Sequence, residues 1–273
     1  MSAAARRLAF AARLRAGEPL TGLVVKMPSP WLLELAGRSG FDFAVVDTEH
    51  GPAEVDALEH HLRAADCVGL PTLVRVATGG GGEILHALDA GAQGVVVPHV
   101  SDGPAADAVV RAAHYPPRGR RGLATTTRAG YHGTVSVSEH VRTADDSTLV
   151  VAQVEDANAV PRTAAIAGTP GVDVVFLGAA DLAMSLGHPG AGAHPVVAAA
   201  VDDVVRGVRD AGGALCVVAG DEHEARAWRE RGAQLVAFVA PVLVARCLGA
   251  VAAAAGAPRD EIVNVERATE LQR

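Results

Sequence analysis

Lysine is nearly missing from this chain. Of its 24 basic residues, 23 are arginine and only Lys26 is lysine. A mechanism that needs a catalytic amine therefore has a single candidate. Aromatic residues amount to 3%, which argues against the stacking platforms that hold single-stranded nucleic acid. Acidic residues outnumber basic ones, 31 to 24, for a net charge of −7. The basic patch of a nucleic-acid binder is therefore not expected. Cysteine is sparse too: Cys67, Cys216 and Cys247 lie far apart without a CxxC pair. That pattern predicts no structural zinc and a reducing, cytoplasmic setting. No apolar run approaches the ~20 residues of a membrane span. The nearest, 235–256, is interrupted by Pro241 and Arg246.

A linker is also lacking. No stretch rich in Pro, Gly or Ser divides the chain, so one domain over residues 1–273 is expected. Its core covers about 20–256, and 257–273 forms a polar, charged tail. The first residues carry no acid before Glu18. They read either as a transit peptide or as an amphipathic helix with Leu8, Ala11 and Ala12 on one face and Arg6 and Arg13 on another. The periodicity favours the helix.

What the chain does contain is an alternation. Eight short, β-branched apolar runs are each followed by an Ala/Leu-rich stretch with helical spacing. The strands are expected at Gly22–Met27, Phe43–Asp47, Thr72–Val76, Gly94–Pro98, Leu149–Val154, Asp173–Gly178, Ala214–Val218 and Leu235–Val239. Continuous apolar runs of this kind suit strands buried on both faces of a parallel sheet. The helices are expected at Pro30–Arg38, Ala53–Cys67, Gly82–Gly91, Gly103–Ala113, Asn158–Gly168, Pro195–Ala211, Asp221–Arg231 and Pro241–Ala255. Asp221 is placed to cap its helix, and Pro30 stands at a first helical position. Eight such units predict a (β/α)8 TIM barrel, with a doubly wound open sheet as the alternative. The longest irregular stretch is Tyr115–Thr134, a length that usually marks a functional or mobile loop.

In such a barrel the catalytic groups stand at the C-terminal ends of the strands. Strand two ends in Asp47-Thr48-Glu49-His50, strand three in Arg75, strand five in Gln153-Val154-Glu155, and strand six in Gly178-Ala179-Ala180-Asp181. Buried strands commonly end in polar residues, so one such group means little; four convergent ends point to a site. Glu155 and Asp181 leave adjacent strands, and two hard oxygen ligands without a thiolate suit Mg2+ or Mn2+. Asp181 could instead cap the helix that follows. Gln153 shares the face of Glu155. The turn Gly178–Asp181 offers backbone N–H groups to a carboxylate. His50 suits proton transfer near neutrality, with Asp47 three residues upstream to orient its ring. Arg75 could stabilise an enolate or oxyanion. His60, His61 and His86 fall in helices, where surface or packing roles are expected; His99 follows strand four at the rim. The run Gly79–Gly82 reads as a flexible loop, since it lacks the spacing of a phosphate-binding motif. There is no G-x-S-x-G elbow of a serine hydrolase.

The segments GFDFAVVDTEHGP, LVRV, LDAGAQGVVVPHV, YPPRGRRG, QVEDANAV and PGVDVVFLGAADLAMSLG together resemble the HpcH/HpaI family of class II 2-keto-acid aldolases. They span about residues 20 to 190 in family order. The resemblance implies a (β/α)8 barrel and a divalent cation, Mg2+, Mn2+ or Co2+, held by Glu155 and Asp181. It implies substrate contacts at Gln153 and Ala180, a base at His50, and a charge-stabilising Arg75. It also implies that Asp89 supports the histidine across a subunit contact, in a hexamer whose C-terminal helix packs on a neighbour. The implied reaction is reversible cleavage of a 4-hydroxy-2-keto acid to pyruvate, or a related 2-keto acid, and an aldehyde through a metal-stabilised enolate. The GGGG run, RAGYHGT and FVAPVLV depart from the family pattern where the second substrate would bind. Two alternatives stand beside this reading. One is a synthase that joins a metal-bound keto acid to another carbonyl acid, like a siderophore-pathway citrate synthase. The other is a non-catalytic barrel in a biosynthetic complex.

Overall fold

A computed structural model describes residues 3–51 and 55–256. A first helix, α1 (Ala3–Arg15), leads into eight strands: β1 (Leu20–Val25), β2 (Phe43–Asp47), β3 (Thr72–Arg75), β4 (Gly94–Val97), β5 (Leu149–Val154), β6 (Val174–Leu177), β7 (Ala214–Val218) and β8 (Leu235–Val239). Every strand pairs in parallel with its sequence neighbours, and β8 closes on β1. The barrel is thus closed, and the open-sheet alternative is ruled out. Parallel neighbours need a crossover, and the chain supplies helices for it: α2 (Pro30–Arg38), α3 (Val55–Val68), α4 (Gly81–Asp89), α5 (Gly103–Ala113), α6 (Val137–Ser147), α7 (Thr163–Ala167), α8 (Ala179–Ser185), α9 (Pro195–Asp210), α10 (Glu222–Glu230) and α11 (Ala240–Ala254).

Two apolar layers result from the period of two along each strand. Leu20, Val24, Phe43, Val45, Leu73, Val96, Leu149, Val151, Val174 and Phe176 fill the barrel. Val25, Val46, Val74, Val95 and Val175 face outward and meet Leu33, Leu62, Ile84 and Val204 of the helices. Gly22 is required by this filling, because a Cβ there would lie 2.2 Å from the Phe43 ring. The buried Cys216 thiol, inside the barrel, is pushed up to about 12 by desolvation.

Some expectations need correcting. The face of α1 that packs inward carries Phe10, Ala11 and Leu14; Leu8 is 38% exposed. The reason is that α1 plugs the end of the barrel, with Phe10 and Phe43 ring centroids 6.0 Å apart. The expected loop before α4 is shorter than GGGG, since Gly81 and Gly82 already belong to the helix. The helix expected over Asn158–Gly168 is a 3-10 turn, Val160–Arg162, followed by α7. The Tyr115–Thr134 stretch ends in a 3-10 segment, Arg128–Gly133, and α6 after it was not expected. The tail at 257–273 and the start of the helix expected from Ala53 lie outside the described residues. Among the described residues, no helix is long and apolar enough to cross a membrane.

Candidate active site

The C-terminal mouth of the barrel carries one continuous polar network, built by strand register. Asp47 and Arg75 are paired across β2 and β3, so both side chains point into the barrel at the same height. The Arg75 guanidinium clamps the buried Asp47 carboxylate, with Nε 3.0 Å from Oδ1 and Nη2 2.5 Å from Oδ2. Its Nη1 turns toward Glu49 Oε2 at 3.2 Å and donates to Gln153 Oε1 at 3.5 Å. The Gln153 amide in turn donates to Glu155 Oε2. Glu155 Oε1 accepts the His99 backbone N–H at 2.9 Å. Lys26, just past β1, places Nζ 3.7 Å from Asp47 Oδ2. Buried polar groups must be paired in this way, because an unpaired one loses its hydration without replacement.

These groups set one another's charge. Burial would raise the Asp47 carboxyl, but the bonds and charge of Arg75 outweigh it and hold it below the usual carboxylate range. Burial raises Glu155, and the Asp181 charge adds to it, while the Gln153 and His99 donors only partly compensate. For His99, desolvation is outweighed by the Asp156 hydrogen bond and by the Glu155, Asp156 and Glu49 charges, so its imidazolium is favoured.

Beside this network lies a cavity of about 110 Å3. Lys26, Arg75, Gln153 and the turn Gly178–Asp181 form its polar wall, and Val24, Val45, Phe176, Val218 and Val239 its apolar one. Gly178 is bonded to β5 through its N–H and Val154 O at 3.0 Å. A Cβ at Gly178 would stand 2.6 Å from Glu155 Oε2, so only glycine lets the turn approach that carboxylate. The turn opens α8, and Asp181 is in its first helical turn, exposed.

The expected residues thus fall into three groups. Arg75, Gln153, Gly178, Ala179, Ala180 and Asp181 line one cavity, with Asp47 and Glu155 bonded to its wall. His50 stands at the edge, its side chain 53% exposed and Nε2 3.8 Å from Glu49 Oε2. The Asp47 carboxylate does not orient the His50 ring; it accepts the backbone N–H groups of Glu49 and His50 at 3.1 and 3.2 Å. The reason is that Arg75 occupies the carboxylate. Asp89 is remote from the mouth within one chain. It ends α4, which runs back toward the opposite end of the barrel, and it pairs with Arg121 at 2.7 Å. Sequence reasoning gave no role to Glu49, and placed His99 only at the rim. Glu49, His99 and Glu155 each offer one potential ligand atom within 4.8 Å of the others. The signal for Glu49 was its spacing two residues after Asp47.

Comparison with known proteins agrees with this architecture. The model of the HpcH/HpaI aldolase/citrate lyase family matches residues 20–242. A hydroxypyruvate/pyruvate aldolase of Pseudomonas aeruginosa is 38% identical over 229 residues, which is 84% of this chain and 85% of that protein. The crystal structure of an HpcH/HpaI aldolase/citrate lyase family protein from Burkholderia cenocepacia J2315 superposes with a TM-score of 0.85. It is 35% identical, over 91% of this chain and 99% of that one. The citrate synthase SbnG superposes with a TM-score of 0.82 at 29% identity, over 92% and 98% of the two chains. With polar strand ends gathered at one barrel mouth and a family match over most of its length, the chain belongs to the HpcH/HpaI aldolase/citrate lyase family and is a carbon–carbon lyase of the aldolase type.

Proposed function

We propose that this enzyme is a divalent-metal-dependent aldolase that reversibly cleaves a 4-hydroxy-2-keto acid to pyruvate, or a related 2-keto acid, and an aldehyde. The observation that carries the reading is the cavity wall: an amide, a guanidinium and a glycine turn meet around one space, and the buried Glu155 carboxylate is bonded to the amide behind it. Glu155 and Asp181 would hold the cation. The donor set fits, since hard carboxylate oxygens without a thiolate suit Mg2+, Mn2+ or Co2+. When bound, the cation supplies a Lewis acid next to the keto group.

The chain's own groups do the rest. The backbone N–H groups of Gly178, Ala179 and Ala180, at the opening of α8, receive the substrate carboxylate, and the Gln153 side chain aligns it. His50 takes the proton from the 4-hydroxyl. The C3–C4 bond then breaks, its electron pair passing to the enolate, and the aldehyde departs. Arg75 stabilises the charge on the enolate oxygen, and Asp47 holds Arg75 in place. The protonated His50 then returns the proton to C3, which yields the 2-keto acid. Asp89 supports His50 only from a neighbouring copy, so this reading includes a homo-oligomer, a hexamer in the family pattern. The last described helix supports such an assembly with exposed Val244, Leu248 and Val251. The free thiols of Cys67, Cys216 and Cys247 fit a cytoplasmic setting.

Alanine at Glu155 or Asp181 is expected to remove metal-dependent cleavage, and full activity in both variants would overturn the metal assignment. Alanine at His50 is expected to slow proton exchange of pyruvate in deuterated water; unchanged exchange removes His50 as the base. The likeness to SbnG keeps a second reading, in which the same enolate attacks a different carbonyl acid. Product analysis with pyruvate or oxaloacetate, offered with aldehydes and acyl donors, separates the two.

A further inference from the structure

We propose that Lys26 selects the second carbonyl substrate, and that it selects an aldehyde carrying a carboxylate at its far end. The inference rests on the reading that the keto acid lies at Gln153 and the turn Gly178–Ala180. In a closed ring of eight strands, β1 stands diametrically opposite β5. Lys26 follows β1, and Gln153 belongs to the end of β5, so the lysine faces the keto-acid half from across the mouth. A 4-hydroxy-2-keto acid held by its carboxylate at one wall presents its far end to the other.

Three features of the β1 end fit this role. The first is a cation without a bonded partner. Arg75 and Lys26 are the cations on the cavity wall. Arg75 is committed to Asp47, Glu49 and Gln153. Lys26 donates no side-chain hydrogen bond among the described residues. Its Nζ is 3.7 Å from Asp47 Oδ2, and both oxygens of that carboxylate are already taken by Arg75. Three N–H donors thus remain for a ligand. The second feature is the floor beneath it. Val24 shares the inward face of Lys26, and register sets Val45 on one side of Val24 and Val239 on the other. Val218 continues this apolar surface on β7. A short aliphatic chain fits the valines, whereas hydroxyl groups would lose their hydration there. The third is the anchoring of the backbone. The Ser29 N–H donates to His61 Nε2 at 3.0 Å, which puts the ring proton on Nδ1, 2.6 Å from Ala57 O. That buried histidine ties the segment after Lys26 to α3. On the other side, a Cβ at Gly51 would stand 3.2 Å from Lys26 O, so the turn after β2 packs closely on the same backbone. The lysine stem therefore starts from a fixed point, and its side chain is still 33% exposed.

The ligand class follows from the donor. A lone ammonium is a compact point charge, and the Asp47 carboxylate beside it disfavours a dianion. A single carboxylate is the matching group. The test is aldol addition of pyruvate, with Mg2+ and the full chain, to two acceptors of similar shape, 4-oxobutanoate and its methyl ester. It is run on wild type, Lys26→Met and Lys26→Arg. Wild type is expected to favour the acid by about tenfold or more in kcat/KM, the usual worth of a hydrogen bond to a charged group. Lys26→Met should bring the ratio close to one, through a higher KM for the acid, and Lys26→Arg should keep most of it. An unchanged ratio in Lys26→Met overturns the inference. So does an equal loss on both acceptors, which a role through Asp47 or at the pyruvate carboxylate would give. Deuterium exchange at C3 of pyruvate needs no acceptor and reports the enolate half separately. Exchange by wild type without a preference for the acid overturns only the selection by Lys26. Neither exchange nor addition by wild type overturns the aldolase reading as well.

Discussion

Lys26 shows how a composition becomes a chemical choice. A Schiff-base aldolase needs a lysine poised at the substrate carbonyl, and this chain has one lysine to offer. It does line the cavity, with Nζ 3.7 Å from Asp47 Oδ2. On the proposed route, Glu155, Gln153 and Arg75 would serve the enolate without an iminium. Borohydride treatment in the presence of pyruvate is therefore expected to leave the intact mass unchanged; a pyruvate-sized increment on Lys26 would falsify the metal-dependent route. A second residue makes a prediction about stability. His114 is 2% exposed, and neither of its ring nitrogens has a hydrogen-bond partner. Desolvation, with help from Arg118, lowers its pKa to about 4. The folded protein therefore keeps His114 neutral where the unfolded chain binds a proton. Stability from this group is complete above about pH 6.5 and falls as the pH drops toward about 4, by about 3 kcal/mol. Urea midpoints measured from pH 7 to pH 4 should show that slope, and His114→Leu should flatten it.

At the scale of elements, the strands were the most readable part. Four of them, β2, β5, β7 and β8, have the expected boundaries, because a strand buried on both faces has to be apolar throughout. Helix α6 went unread for the opposite reason. It buries only His140 and Ser147 among its residues, so it carries no apolar period. Its start was nevertheless marked: Ser136 accepts the Glu139 N–H at 3.2 Å, the serine half of a capping box. The turn from β6 into α8 makes a prediction of its own. Gly178→Ala would put a Cβ 2.7 Å from the Glu155 Cβ and 2.6 Å from its Oε2. Cleavage should fall by about a hundredfold, the usual effect of displacing a catalytic group by an ångström. Full activity in this variant would show that Glu155 need not stay where it is.

The whole molecule closes at one end and opens at the other. Phe10 and Leu14 of α1 seal the end away from the site and join the barrel's inner layer. Phe10→Ala should cost about 3 to 5 kcal/mol of stability, as other large-to-small core changes do. Turnover at low temperature should stay intact, because the plug and the mouth lie at opposite ends. A loss of turnover without a loss of stability would contradict that separation. Asp89 is explained only at this scale. It sits far from His50 along one chain, so its expected role depends on a second copy.

The amino-acid order by itself determined the alternation of strand and helix and the residues that end each strand. It could do so because buried parallel strands must be apolar, and a barrel gathers all their C-terminal ends at one rim. The tertiary structure decided which of those groups meet. Barrel register set Arg75 against Asp47, taking that carboxylate from the His50 ring. Barrel curvature and one left-handed residue brought His99 to Glu155 and Glu49 across three strand ends. The groups gathered there come from residues up to 106 positions apart, from Glu49 to Glu155, and no local pattern encodes a proximity of that kind.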